Sequence, residues 1–471
     1  MPPKLNPFFR ENGERLGEAQ GTIGLDGKRV WLYPKEIIGR FTRSRKYLAW
    51  ILLIVYLGIP WLRWNGQPMI LLDWAGQKLV LAGMNFWAKD IPLFLPLFFA
   101  FVLMIFMGTA RYGRIWCGWA CPQTVFLHFL FIPIEKLWEG KAARRQERDQ
   151  SPWTGDWFWR KTLKHASFAL IAFWIGSTAL AYSWGTESVV NSIGHPAMEN
   201  WPGVALVLGF SALFYANFAF FREQACIMVC PYARFQSVLP DENTSLIAYD
   251  AIRGERRGKG DRGSRDGFGD CTDCRQCQLV CPMGIDIRQG QQLECIGCAR
   301  CIDACDVTMA AWKKPKGLIR FVSLRELEGK SGKGWPWRLF AYGALAFLMV
   351  SISVFLLARR PVIAVDAVRR GSAPYSRIEP DSVVNTFTLH LRNNSSTQHI
   401  LRMQWSREAS GKSSWEGRVF AMPGGQSMSL PLEITTSVDQ FQRGRKEVGM
   451  VLIDKGIRVP FRLELAGPWG N

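Results

Sequence analysis

Twelve cysteines carry most of the chemistry that this 471-residue chain can do. Cys271, Cys274, Cys277 and Cys281 form one C-x2-C-x2-C-x3-C quartet, and Cys295, Cys298, Cys301 and Cys305 form a second. This is the spacing of bacterial two-cluster ferredoxins, in which three close thiolates wrap one iron–sulfur core and the distant fourth reaches to its neighbour. The pattern predicts two [4Fe-4S] clusters, one on Cys271, Cys274, Cys277 and Cys305, the other on Cys295, Cys298, Cys301 and Cys281. Zinc and disulfides fit less well, because zinc ligands come in two pairs across a spacer and disulfides need an oxidising compartment. Pro282 follows the first quartet, whereas Asp306 follows the second, a change expected to alter a cluster's potential more than its existence.

The other four cysteines stand in two copies of C-x3-C-P. Aligning Cys117 with Cys226 brings Cys121 onto Cys230, Pro122 onto Pro231 and Phe126 onto Phe235, a weak internal repeat. Cysteines four apart share one helix face, so each pair can present two thiolates to one ion. Soft thiolates select Cu(I) and zinc, and by favouring Cu(I) they make bound copper easier to reduce. Small buried residues or a metal-free dithiol are the other readings. Met104, Met107 and Met228 are either thioether donors or packing filler. His128, seven residues after Cys121, is either a further metal ligand or proton carrier or a packed, hydrogen-bonded residue. His165 and His195 sit at span ends as interface residues, and His390 and His399 receive no role.

Membrane helices must position these groups. The chain is 48% apolar yet carries a net charge of +19, which is reconciled if the two are segregated. Runs at 47–62, 91–109, 166–184, 202–221 and 339–358 approach or reach the roughly 20 residues that cross a bilayer. Residues 1–40 lack the apolar core of a cleavable signal. Arg40, Arg43, Arg45 and Lys46, together with the basic connection at 136–164, predict that the N-terminus, this connection and the cysteine-rich region face the cytoplasm. Because two spans separate the C-x3-C-P copies, both reach that face and could meet at a pseudo-twofold axis. Five spans then place the C-terminal region outside, although Arg359, Arg360, Arg369 and Arg370 just beyond the last one oppose this locally. The basic charge is a topology signature; no nucleic-acid recognition fold accompanies it.

The remaining segments fill in the architecture. Residues 70–87 read as an amphipathic segment on the outer interface, with a sixth crossing as the alternative, and 115–133 as an interfacial or re-entrant helix, since both its flanks are basic. Residues 253–269 read as a solvated linker. Beyond 361, strand-like runs at 383–391, 399–405 and 458–465 alternate with turn clusters, which predicts an all-β sandwich. The expected fold is multi-domain: an N-terminal arm (1–40), a helical membrane domain (41–240), a two-cluster ferredoxin-like α+β segment (241–337), a fifth membrane helix (338–360) and a β domain (361–471). No nucleotide-binding or nucleophile-elbow motif is present, so the electron donor is a membrane quinol or a soluble carrier. A homo-oligomer is compatible with everything above.

The order of WCGWACP, CIMVCP, the two cluster quartets ending CIDACD, and a last helix followed by a β domain resembles the FixG/RdxA/CcoG-type accessory proteins of cbb3-type cytochrome c oxidase assembly. Single parts are shared with other membrane ferredoxins, such as the NapH and NosR types. The resemblance implies a bacterial cytoplasmic-membrane protein with two [4Fe-4S] clusters and a periplasmic immunoglobulin-like C-terminal domain. It also implies reduction of Cu(II) to Cu(I) for the oxidase, with copper chaperones or transporters as partners. Carried over by position, the copper-handling residues would be Cys117, Cys121, Cys226 and Cys230.

Overall fold

The computed structural model describes residues 29–468 except 75, 153, 196–199, 259–266, 331–336, 372, 380, 407–411 and 455–456. Most of the N-terminal arm and the middle of the 253–269 linker therefore lie outside the described residues.

Among the described residues, five helices are long and apolar enough to cross a membrane: Ala88–Tyr112, Ile115–Glu139, Gly155–Trp184, Trp201–Phe221 and Trp337–Ala358. The number matches the expected one, but one member differs. The first expected span lies in helix Arg40–Gly58, whose opening turns hold Arg40, Arg43, Arg45 and Lys46 and leave a short apolar stretch. Ile115–Glu139, read from sequence as interfacial, has the length and apolarity of a span. Both belong to one helical packing. Ala49 and Leu53 from Arg40–Gly58 close a core with Val125, Leu127, Phe131, Phe168, Ile175 and Phe218. Phe131 stacks on Phe218 at 4.5 Å and meets Phe168 edge-on at 4.9 Å, geometries that the ring quadrupoles favour. A side chain at Gly176 would meet the backbone of Ser211 at 3.0 Å, so small residues let Gly155–Trp184 and Trp201–Ala216 touch closely.

After the fourth of these helices the chain builds the cysteine-rich segment. Strand Leu246–Tyr249 pairs antiparallel with Ile319–Val322 and frames the short helix Gln276–Leu279 and the longer Arg300–Ala311. Ile247, Ile287, Ile302, Met309, Leu318 and Ile319 fill the space between them.

The stretch expected to be an amphipathic interfacial segment is a three-stranded antiparallel meander, Ile70–Asp73, Lys78–Leu81 and Met84–Trp87. A hairpin, Arg63–Trp64 with Gln67–Pro68, precedes it. Its turn, Asn65-Gly66, has positive φ at both residues, the signature of a type I′ turn.

The C-terminal region is two antiparallel sheets. One runs Lys412–Ser413, Ser427–Ser437, Ser382–Asn393, Ile363–Arg369, with Ser376–Glu379 also paired to Ser382–Asn393. The other runs Val419–Met422, His399–Trp405, Arg445–Asp454, Ile457–Ala466. Alternate residues of both sheets, among them Leu389, Leu432, Leu401, Met450 and Leu463, enter one core, as the period-two burial of a sandwich requires.

The chain forms two compact units that do not follow its linear order. One holds Met1–Gly58, Leu95–Ala181 and Thr186–Ile352; the other holds Ile59–Phe94, Tyr182–Gly185 and Ser353–Asn471.

Candidate metal centres

The two cysteine quartets are folded alike. Asp273 and Arg275 in the first have φ of 53° and 54°; Gly297 and Ala299, the matching positions of the second, have 65° and 61°. Four residues in the left-handed region, three of them not glycine, keep each loop curling around one centre at a conformational cost of order 1 kcal/mol each. Helix Gln276–Leu279 or Arg300–Ala311 follows directly.

Each loop faces its own cavity. One, of about 340 Å³, is lined by Cys271, Cys274, Cys277 and Cys305. The other, of about 350 Å³, is lined by Cys281, Cys295, Cys298 and Cys301, with Cys277 in the shared wall. Burial pushes the Cys277, Cys281 and Cys305 thiols up to about 12 and that of Cys295 up to about 11. Neighbouring thiols add to the effect at Cys281 and Cys305. Four converging thiolates in such a place need a compensating polycation, and an iron–sulfur core fits this donor set. Asp306, which replaces the expected proline, accepts a hydrogen bond from the Gly317 amide at 3.0 Å and so braces the loop behind Cys305.

The surroundings of the cavities differ. Tyr249, which donates a hydrogen bond to Glu255 at 3.3 Å and lies beside Cys271, stands in the wall of the first together with Arg288, and Cys274 is exposed. Met283, Ile285, Ile287 and Ile296 line the second.

The C-x3-C-P motifs are not continuous helices with two cysteines on one face. Cys121 and Cys230 are each extended N-cap residues with proline at the first helical position. A residue before proline is disfavoured in the helical region, and each helix breaks at its second cysteine. The copies match in detail: Cys121 donates its amide to Trp116 O at 3.0 Å and Cys230 to Ala225 O at 2.9 Å, each five residues back. The motifs also come together: Ile227 and Tyr232 from the second copy pack against the buried cluster that holds Cys117, and burial, with the nearby cysteines, pushes Cys226 up to about 12. Among the described residues, however, no three ligating side chains surround a single-ion position. The charged groups around His128 are Arg45, Arg300 and Arg222, surroundings that repel a cation. Met104 and Met228 are about half exposed, as packing or lipid-facing residues would be.

The first motif is pressed against the second cavity. Cys117 shares a buried cluster with Ile296 and Cys298, against which Cys281 and Cys295 also pack. Gly118 permits this, because a Cβ there would lie 2.9 Å from the Cys298 amide. Trp119 Nε1 donates to Gly297 O at 3.2 Å, and the buried Arg45 donates through Nε to Gly118 O at 2.8 Å. Sequence reading missed Gln236, which is fully buried. It accepts a hydrogen bond from Cys117 Sγ at 3.2 Å and donates to Thr109 Oγ1 at 2.8 Å. It also donates to the nearby Tyr232 hydroxyl, but the partners that tie it to the first motif, Cys117 and Thr109, lie more than a hundred residues away, so no local signal distinguishes this glutamine.

Comparison with known proteins agrees with this geometry. Residues 221–324 match a family model described as a 4Fe-4S dicluster domain, residues 93–141 one described as a 4Fe-4S binding domain, and residues 353–468 the immunoglobulin-like fold at the C-terminus of FixG. The chain is 34% identical to protein RdxA of Cereibacter sphaeroides over 83% of its own length and 86% of that protein. It is 32% identical to protein RdxB of the same organism over 87% and 89%. It is 34% identical to the nitrogen fixation protein FixG of Rhizobium meliloti over 67% and 62%.

Proposed function

The chain belongs to the FixG/RdxA family of membrane-associated iron–sulfur electron-transfer proteins, and from that premise we propose that it reduces Cu(II) to Cu(I) at its C-x3-C-P thiols for assembly of a cbb3-type oxidase. The observation that carries this reading is the packing of Cys117 on Ile296 and Cys298, which leaves no layer of protein between the first motif and the wall of the second cavity. Cys271, Cys274, Cys277 and Cys305 would hold one cluster, and Cys281, Cys295, Cys298 and Cys301 the other. When bound, a [4Fe-4S] cluster supplies a one-electron reservoir beside these thiols. Cu(II) takes up one electron and becomes Cu(I), which the sulfur donors of Cys117, Cys121, Cys226 and Cys230 favour over Cu(II). Gln236 fixes the Cys117 sulfur, and Arg45 fixes the carbonyl that follows it. Cu(I) is the form that thiol-bearing copper carriers accept, which makes such carriers and the oxidase the expected partners.

The orientation we propose puts the clusters in the cytoplasm and the β domain across a bacterial cytoplasmic membrane. If Arg40–Gly58 crosses and Ile115–Glu139 does not, the connection 63–90 and the C-terminal region would both lie outside, and both belong to one compact unit. Arg360, which argued against this from sequence, forms a 2.6 Å ion pair with Asp90 inside that unit.

One observation favours a second reading, an electron conduit that feeds a partner protein: no three ligands surround a single-ion position among the described residues. X-ray absorption at the copper edge of the Cu(I)-loaded protein separates the two. A sulfur-only shell that is lost in the Cys117→Ser, Cys226→Ser double variant supports the copper site; nitrogen and oxygen neighbours unchanged by the substitutions contradict it.

A further inference from the structure

We infer that the cavity between the end of helix Ile91–Tyr112 and the second cysteine quartet binds the head group of a membrane quinone. The inference rests on the electron-transfer reading for its purpose, since it names the class of donor. The cavity borders the proposed copper site, because Gln236 lines it and accepts a hydrogen bond from Cys117 Sγ.

Three features of the walls select the ligand. Tyr112 ends a helix of membrane-spanning length and is exposed, so the mouth lies where that helix leaves the apolar zone and a lipid-soluble molecule can enter from the side. Tyr112 and Phe321 provide aromatic rings for a flat ligand, and Leu293 adds apolar surface. No carboxylate lines the cavity among the described residues, which disfavours a metal cation. The polar groups suit ring carbonyl oxygens. Arg114 leaves its buried Nε without a hydrogen-bond partner while its other end bonds to the Leu293 carbonyl, and the Gln291 amide stands in the same wall. A single cation without a glycine-rich loop is poorly suited to the diphosphate of a nicotinamide or flavin dinucleotide.

The position gives the site its meaning. Cys295 lines both this cavity and the one assigned to the second quartet, so a head group bound here touches a residue of that quartet directly. Leu293 and Arg114 belong to neither quartet, so they can be changed without removing a thiol.

The test is photolabelling of the purified, cluster-containing protein with an azido-substituted short-chain quinone, followed by peptide mapping, in wild type, Leu293→Trp and Arg114→Gln. The expected result is labelling at residues 112–114 or 291–295 that excess unmodified quinone suppresses. Leu293→Trp, which fills the cavity, should lower it at least tenfold with the cluster absorbance unchanged, and Arg114→Gln should weaken competition about tenfold. Label confined to lipid-facing helix surfaces, or label at these peptides unaffected by competitor and by both substitutions, overturns the inference. Labelling needs no copper. Mapped label without copper reduction sinks the reductase reading alone, and copper reduction without mapped label sinks this inference alone.

Discussion

The carboxylate of Asp303 accepts hydrogen bonds from both the backbone amide and the hydroxyl of Thr42, each at 2.7 Å. Its other oxygen takes the Phe41 amide at 3.2 Å. Asp303 lies between Cys301 and Cys305 in the cluster segment, whereas Thr42 is in the first turn of helix Arg40–Gly58. The first turn of a helix has amides without partners, and here a residue from a distant part of the chain caps them. Gly39 makes room for the carboxylate, since any side chain there would overlap Asp303. Asp303→Ala should therefore cost about 1–2 kcal/mol, measured as a lower unfolding midpoint in detergent, and cluster absorbance should bleach faster in the variant.

Gly118→Ala tests the contact between the first C-x3-C-P motif and the second quartet. The added methyl meets backbone, at Ile296 O and Cys298 N, which cannot swing aside as a side chain could. Overpacking of this kind costs about 1–3 kcal/mol. Thermal unfolding should show the loss, and Cu(I) formation should slow while the iron content stays that of wild type.

Tyr249→Phe should lower the potential of one cluster only. The Tyr249 hydroxyl, which donates to Glu255 at 3.3 Å, also stands beside Cys271, and a donor that turns to a ligand sulfur stabilises the more negative, reduced state. Loss of a bond worth about 1 kcal/mol corresponds to roughly 40 mV for one electron. An EPR-monitored redox titration should show that shift in one of the two signals.

The contact between Tyr33 and Asp149 should titrate in acid. Burial raises the Asp149 carboxyl, but hydrogen bonds from Lys161 and Tyr33 outweigh it and hold the group below the usual carboxylate range. A depressed folded value means that the stabilisation is complete above the ordinary carboxylate value, about pH 4, and is lost as pH falls below it. The stability difference between wild type and Asp149→Asn should be constant from about pH 5 to 8 and shrink progressively as pH falls below about 4. Unfolding midpoints across this series are the check.

The eight clustered cysteines were legible because local spacing decides which sulfurs can share a centre, and each cavity is lined by one such group. The C-terminal sandwich was legible from period-two alternation. Other features had signals that were passed over. Asn65-Gly66 marks the hairpin that opens the 63–87 meander, and the proline after Cys121 and Cys230 disfavours the continuous helices assumed there. The caps and close approaches were not legible at all. Asp303 on Thr42, Gln236 on Cys117 and Gly118 on Cys298 join residues far apart in sequence, and nothing local tells such an aspartate, glutamine or glycine from a surface one. Arg360 shows the reverse problem: its charge reads as a topology signal until its partner, Asp90, is placed beside it.

The most direct test of the account is an anaerobic titration of the dithionite-reduced, desalted protein with Cu(II), following cluster absorbance and EPR while a Cu(I)-specific chelator reports product. The account predicts that the clusters reoxidise with one Cu(I) formed per electron withdrawn, and that the Cys117→Ser, Cys226→Ser double variant keeps its clusters but loses this reaction. Reduced clusters that remain reduced in the presence of Cu(II), or a double variant that reduces copper as fast as wild type, would contradict it.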